Sequence, residues 1–202
     1  NTAGNVTFLE NNTNYDLNSS LTYNYTLSGG AFIRNRAVNI TFNCNASTFT
    51  GQVFGAGGTT QFLVEDITSS NITVKSCNIK SFDQVSNLNT LISSYNNITN
   101  TADAGGDADF VNAYWIDNNI LNFTDGIDGI YNVTNNIIEN TGRDGVATAI
   151  TCIAGTCWVE NNTIRNATNS GITLSGRSSG SGTDYVRILN NIINSTSGNN
   201  FG

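Results

Sequence analysis

The 202-residue chain has no histidine, no proline, only eight lysines and arginines together, and no long apolar run. Each absence removes a class of protein. Without histidine the commonest general acid or base is missing, and a closed zinc site would have to do without one of its two usual ligand types. Eight scattered basic residues cannot build the positive stripe that neutralises nucleic-acid phosphates, so no nucleic acid partner is expected. No stretch approaches the ~18 apolar residues of a membrane-spanning helix. No basic segment followed by a hydrophobic one marks a signal peptide, and with Asn1 at its head the chain is expected to be processed or excised. The lack of proline favours strands, because proline cannot donate to a strand ladder.

What is abundant is asparagine, 35 residues of it, against only 11% charged residues and a net charge of -7. Disorder would need high charge and few Ile, Val, Phe and Tyr, and these are plentiful. A chain of this length supports one elongated domain with a substantial core. Asn-X-Ser/Thr sequons stand at Asn5, Asn11, Asn18, Asn24, Asn39, Asn45, Asn71, Asn97, Asn122, Asn132, Asn161, Asn166 and Asn194. Chance alone in so Asn-rich a chain would give ~8 or 9. Glycans on them would be bulky and solubilising, and they point to an extracellular product.

A segment recurs along the chain. "VKSCNIKS", "YNNIT", "WIDNNILNF", "NVTNNIIEN", "WVENNTIRN" and "VRILNNIINS" share a polar pair flanked by β-branched residues, with markers at Ser76, Asn96, Asn118, Asn135, Asn161 and Asn190. They lie 17 to 29 residues apart. Such a period holds about three short strands with turns and is too short for two helices and a connection. If Val159 and Ile164 both face inward, five residues apart, strict alternation fails unless the chain bends at Asn161. Asparagine tolerates the left-handed backbone of such a bend. The second asparagine then points inward and stacks on its counterpart one turn away. The expected inward stack is Asn97, Asn119, Asn136, Asn162 and Asn191, so the sequon at Asn97, alone among those above, is expected to carry no glycan.

Together with "NITFNCN" and "SSNITVKSCNIKSF", these units resemble the right-handed parallel β-helix of the pectin-lyase-like superfamily, in the repeat-rich versions found on archaeal and bacterial surfaces. The resemblance covers about residues 15–202. It implies an all-β solenoid of about six to seven coils over residues 25–202, with variable flank loops such as 101–110 and 176–184. Residues 1–24 are expected to form an N-terminal lead-in, a cap or a strand donated to a neighbour.

Cys44 and Cys77 occupy comparable places in neighbouring units, at a strand separation that suits a disulfide, although two free stacked cysteines remain open. Cys152 and Cys157 bracket "IAGT" and are expected to pin one loop by a local disulfide, with a thiol or metal pair as the other reading.

The superfamily also contains lyases and glycoside hydrolases. A hydrolase needs two suitably spaced carboxyl groups, for which Asp117, Asp125, Asp128, Glu139, Asp144 and Glu160 are candidates. Several of them lie in Asp-Gly turns, where turn chemistry already explains them. The Asn-Thr-Asp, Gly-His-Gly and Arg-Ile-Lys segments of polygalacturonase-like members do not occur. Asp103, Asp107 and Asp109 could offer oxygen ligands to Ca2+, but their spacing follows no calcium-loop pattern. Aromatic residues Trp115, Trp158, Tyr95, Tyr114 and Tyr131 could stack on sugars or simply pack. The chain closes on "NNIINSTSGNNFG" with no capping helix, so a further molecule or further chain is expected over the open coil. The expected function is non-enzymatic: a secreted, N-glycosylated structural subunit of a cell-surface filament, sheath or surface layer. It would be a homopolymer joined head to tail or by strand donation. The alternatives are a carbohydrate-binding adhesin and, further off, a polysaccharide lyase or hydrolase.

Overall fold

A computed structural model describes residues 6–18, 20–25, 30–51, 61–66, 71–82, 84–86, 91–99, 109–121, 127–140, 146–149, 156–168, 170–175 and 185–194. The described residues form strands and turns and no helix. The early strands are β1 (Val6–Phe8), β2 (Asn14–Asp16), β3 (Thr22–Asn24), β4 (Gly30–Asn35), β5 (Ile40–Asn43), β6 (Thr48–Thr50), β7 (Gln61–Asp66), β8 (Ile72–Lys75) and β9 (Asn78–Lys80). Next come β10 (Gln84–Ser86), β11 (Leu91–Ser94), β12 (Asn97–Thr99), β13 (Asp109–Ile116), β14 (Asn119–Leu121), β15 (Ile127–Thr134) and β16 (Ile137–Glu139). The last are β17 (Val146–Ala149), β18 (Thr156–Glu160), β19 (Thr163–Arg165), β20 (Ile172–Ser175), β21 (Tyr185–Leu189) and β22 (Ile192–Asn194).

All pairing is parallel, in three sheets, and no two strands adjacent in sequence pair with each other. The first sheet runs β1-β4-β7-β10, the second runs β2-β5-β8-β11-β13-β15 and onward, and the third contains β3-β6-β9-β12-β14-β16-β19-β22. The chain thus adds one rung to each sheet in turn before returning. Beyond β10 two of these visits fuse. The start of β15 pairs with β17 and its end pairs with β18, so one long strand does the work of two short ones. Residues of the expected lead-in segment supply the first strand of each sheet, and Val6–Phe8 pairs with Ile33–Asn35 of its own chain.

Alternation decides which face is buried. In β5, Ile40 and Phe42 are buried while Thr41 and Asn43 are half-exposed, and β8 repeats this with Ile72 and Val74. From β6 to β19 the three-residue strands of the third sheet bury their middle residue, whereas in β3 it is half-buried and β22 is exposed throughout. Register places Phe49, Ile79, Ile98, Ile120, Ile138, Ile164 and Ile193 in one column. All but the last of these are almost fully buried. Each such side chain contributes roughly 1.5 to 3 kcal/mol on burial. The core changes character along the stack. Its first end is aromatic, with Phe8 stacked on Tyr15 at 4.1 Å and Tyr23 on Phe49 at 5.0 Å. From Ile98 onward it is aliphatic.

Candidate functional site

The corner between the second and third sheets repeats the same backbone device. Ser76, Tyr95, Asp117, Asn135, Asn161 and Asn190 all have φ between 52° and 58°. This left-handed conformation costs most residues about 1 to 2 kcal/mol and asparagine less, because its short side chain can bond locally. Eight of the thirteen non-glycine positive-φ residues among those described are asparagines, which accounts for much of the composition. The bend turns the next residue inward. That residue is Cys77, Asn96, Asn118, Asn136, Asn162 or Asn191, always two positions before the third-sheet residue of the central column.

At such a corner the inward residue's N–H and a carbonyl three positions earlier would be buried without ladder partners. Asparagine satisfies both from the next rung. Asn136 N–H donates to Asn162 Oδ1 at 2.9 Å, and Asn162 Nδ2 donates to the Val133 carbonyl at 2.9 Å. The same exchange joins Asn96 to Asn118, whose Nδ2 donates to the Ser93 carbonyl, and Asn162 to Asn191, whose Nδ2 donates to the Val159 carbonyl; Asn118 N–H donates to Asn136 Oδ1, and there Asn136 Nδ2 donates to the Thr134 carbonyl. Asn96 Oδ1 accepts Cys77 N–H at 2.8 Å, so the amide column ends on a cysteine. Cys77 and Cys44 form a disulfide, with Cα atoms 4.9 Å apart. The disulfide therefore ties the last member of that column to the residue that follows β5. Unpartnered buried polar groups cost about 1 to 3 kcal/mol each, which is why the amide recurs.

Two members of the expected inward stack are corrected. Asn97 is exposed and Asn119 only half-buried, whereas Asn96 and Asn118 are 1% and 2% exposed. In these two units the left-handed bend falls on Tyr95 and Asp117, the residue before the doublet, so the pair straddles the inward position and the first strand residue. Asn136 and Asn162 are buried, and Asn191 is half-buried on the last rung. Counting back two residues from the repeating isoleucine locates the inward amide in every unit. Counting from the doublet does not.

The outside carries a second set of amide contacts. Asn39 Nδ2 donates to Asn12 Oδ1 at 3.1 Å, Asn71 Nδ2 to Asn39 Oδ1 at 3.4 Å, Asn97 Nδ2 to Asn78 Oδ1 at 3.0 Å, and Asn166 Nδ2 to Asn140 Oδ1 at 3.1 Å. Of the sequon asparagines, Asn11, Asn18, Asn24, Asn39, Asn45, Asn71, Asn97, Asn161, Asn166 and Asn194 are exposed and Asn132 is half-buried. Asn5 and Asn122 lie outside the described residues. Compared with known proteins, the chain matches no family model, no curated protein and no solved structure.

The carboxylates take part in contacts between rungs. Arg165 Nη1 lies 2.7 Å from Glu139 Oε1, Arg187 Nε 3.2 Å from Glu160 Oε1, and Arg34 Nε 3.2 Å from Glu65 Oε2. Arg187 also lies over the Trp158 ring at 4.8 Å. Trp158 and Tyr114 flank Asn132 in register, while Trp115 stands in register between Ser93 and Val133. Tyr95 is exposed at its bend, and Tyr131 lies in β15. Asp117 occupies a bend. Asp109 and Asp128 stand opposite each other in register, a juxtaposition that their separation in sequence hides. Among the described residues no group of three metal-ligating side chains gathers. Asp103, Asp107, Asp125, Asp144, Cys152 and nearly all of the loops 101–110 and 176–184 lie outside the described residues; Cys157 lies in β18. Burial raises the pKa of Tyr25, partly offset by the nearby Arg34 charge and reinforced slightly by Glu65.

Proposed function

We propose that the three parallel sheets are the walls of one parallel β-helix, and that the chain is a secreted, N-glycosylated structural subunit that adds end to end at a cell surface. The observation that carries this reading is the pair of sheet edges at which the described strands stop. At the first end β1, β2 and β3 are edge strands over a cleft of about 370 Å³ lined by Val6, Phe8, Tyr15, Leu17, Tyr23 and Phe32 among others. At the other end β22 closes the third sheet's order, and Ile188, Leu189, Ile192 and Ile193 are exposed to between 37% and 63%.

Open edges present unpaired N–H and C=O groups to another strand, and exposed apolar surface at such edges marks an interaction face. A head-to-tail contact between unlike surfaces does not close on itself and propagates into a filament. The disulfide supports an oxidising location, and the exposed sequons support glycosylation there. Electron microscopy and sedimentation of native material test the assembly. Filaments or concentration-dependent oligomers are expected; monodisperse monomer at all concentrations would refute it.

A further inference from the structure

We infer that Asn97, together with Asn39, Asn71 and Asn166, is a glycosylation site whose amide keeps its hydrogen bond to the preceding rung after the sugar is attached. The inference rests on the glycoprotein reading above. All four are exposed sequon asparagines, and in each case it is the sequon residue that donates through Nδ2, to Asn12, Asn39, Asn78 or Asn140 on the rung before. At Asn97 the geometry depends on the bend falling on Tyr95, which turns Asn96 inward and leaves Asn97 outward.

The chemistry of the amide makes the two roles compatible. Transfer from a glycosyl diphosphate donor breaks the bond between C1 and the diphosphate oxygen. The diphosphate leaves with the electron pair, C1 bonds to Nδ2, and one Nδ2 proton is lost. The product is a secondary amide with one remaining N–H. Like a peptide bond it is planar and trans, with the substituent on nitrogen opposite the side-chain carbon and the N–H opposite the carbonyl. An N–H anti to its own C=O is the one a ladder of stacked parallel amides uses. The sugar therefore leaves sideways from the rung, while the N–H continues to point along the stack. Sequons on successive rungs, such as Asn39 and Asn71, then present their glycans in a row along the axis.

The test uses the full chain secreted from a cell that N-glycosylates, with Thr99→Val and Asn97→Asp compared to the unaltered protein. Thr99→Val removes the sequon but leaves the Asn97 amide. Asn97→Asp removes both. Site-resolved mass spectrometry should find a glycan on Asn97, lost in both variants. The Tm should stay within about 1 °C for Thr99→Val and fall by about 2 to 4 °C for Asn97→Asp, the shift expected for one such bond in a chain of this size. Glycans at Asn18 and Asn45 with Asn97 bare would overturn the inference alone. So would an unchanged Tm in Asn97→Asp, since the glycosylated amide would then hold no bond. Absence of glycan from every sequon would overturn both the inference and the glycoprotein reading.

Discussion

Asn162 Oδ1 accepts two hydrogen bonds from Asn136, one from the main-chain N–H at 2.9 Å and one from Nδ2 at 3.0 Å. A single side-chain oxygen thereby closes the corner of the preceding rung and holds that corner's own amide. The residues are 26 positions apart, and nothing local in sequence would pair them.

Replacing Asn162 with leucine keeps the volume and removes the amide. Asn136 N–H and the Val133 carbonyl are then left buried without these partners, and Asn191 Oδ1 keeps the main-chain N–H of residue 162 but loses the Nδ2 donor. The expected loss is about 3 kcal/mol or more, a fall in Tm of about 6 to 12 °C. Thermal unfolding followed by circular dichroism reads this directly. A change below about 2 °C would show that the column is not a source of stability.

At the bend itself the sign reverses with the side chain. Asn135 is exposed with φ 58°. Asn135→Val should cost about 1 to 2 kcal/mol because a β-branched residue resists the left-handed region. Asn135→Gly should be near neutral or mildly stabilising. Equal denaturant midpoints for the two variants would contradict a conformational origin.

Cys44 and Cys77 are 33 residues apart in sequence and both are buried. Closing a loop of that length stabilises by about 3 to 4 kcal/mol through the unfolded chain. The double variant Cys44→Ala/Cys77→Ala should unfold at correspondingly lower denaturant. Maleimide labelling of the unfolded, unreduced protein should leave both positions unmodified, whereas labelling of Cys44 and Cys77 there would show the bridge to be absent.

Tyr25 gives an alkaline dependence. Its folded-state pKa is raised above the ordinary value of 10.0, chiefly by burial. The unfolded chain therefore releases the phenol proton at lower pH than the folded one. The stabilisation is fully present below pH 10 and is lost as pH rises through the folded value. Urea midpoints measured at pH 8 and above pH 10 should diverge in the native protein, and Tyr25→Phe should reduce that divergence.

The all-β class with parallel strands was legible because it rests on local chemistry repeated many times. Val159 and Ile164 are both fully buried with a left-handed Asn161 between them, as the spacing alone required. The nearness of Cys44 and Cys77 followed from the same repeat, since each comes just after an "NIT" strand, although the two are one residue out of register. The two misplaced amides show where this reasoning stops. Two adjacent asparagines are chemically identical, and the doublet itself does not say which one the bend precedes when Tyr95 or Asp117 occupies a conformation usually left to asparagine; the distance to the following isoleucine does.

By itself the sequence determined parallel strands, left-handed corners and a repeating inward amide, because alternation and backbone preference act within a few residues. Only the tertiary structure decided which atoms those amides serve. Hydrogen bonds between residues 18 to 29 positions apart depend on the length of every intervening loop, and those lengths vary without a pattern that local rules can read.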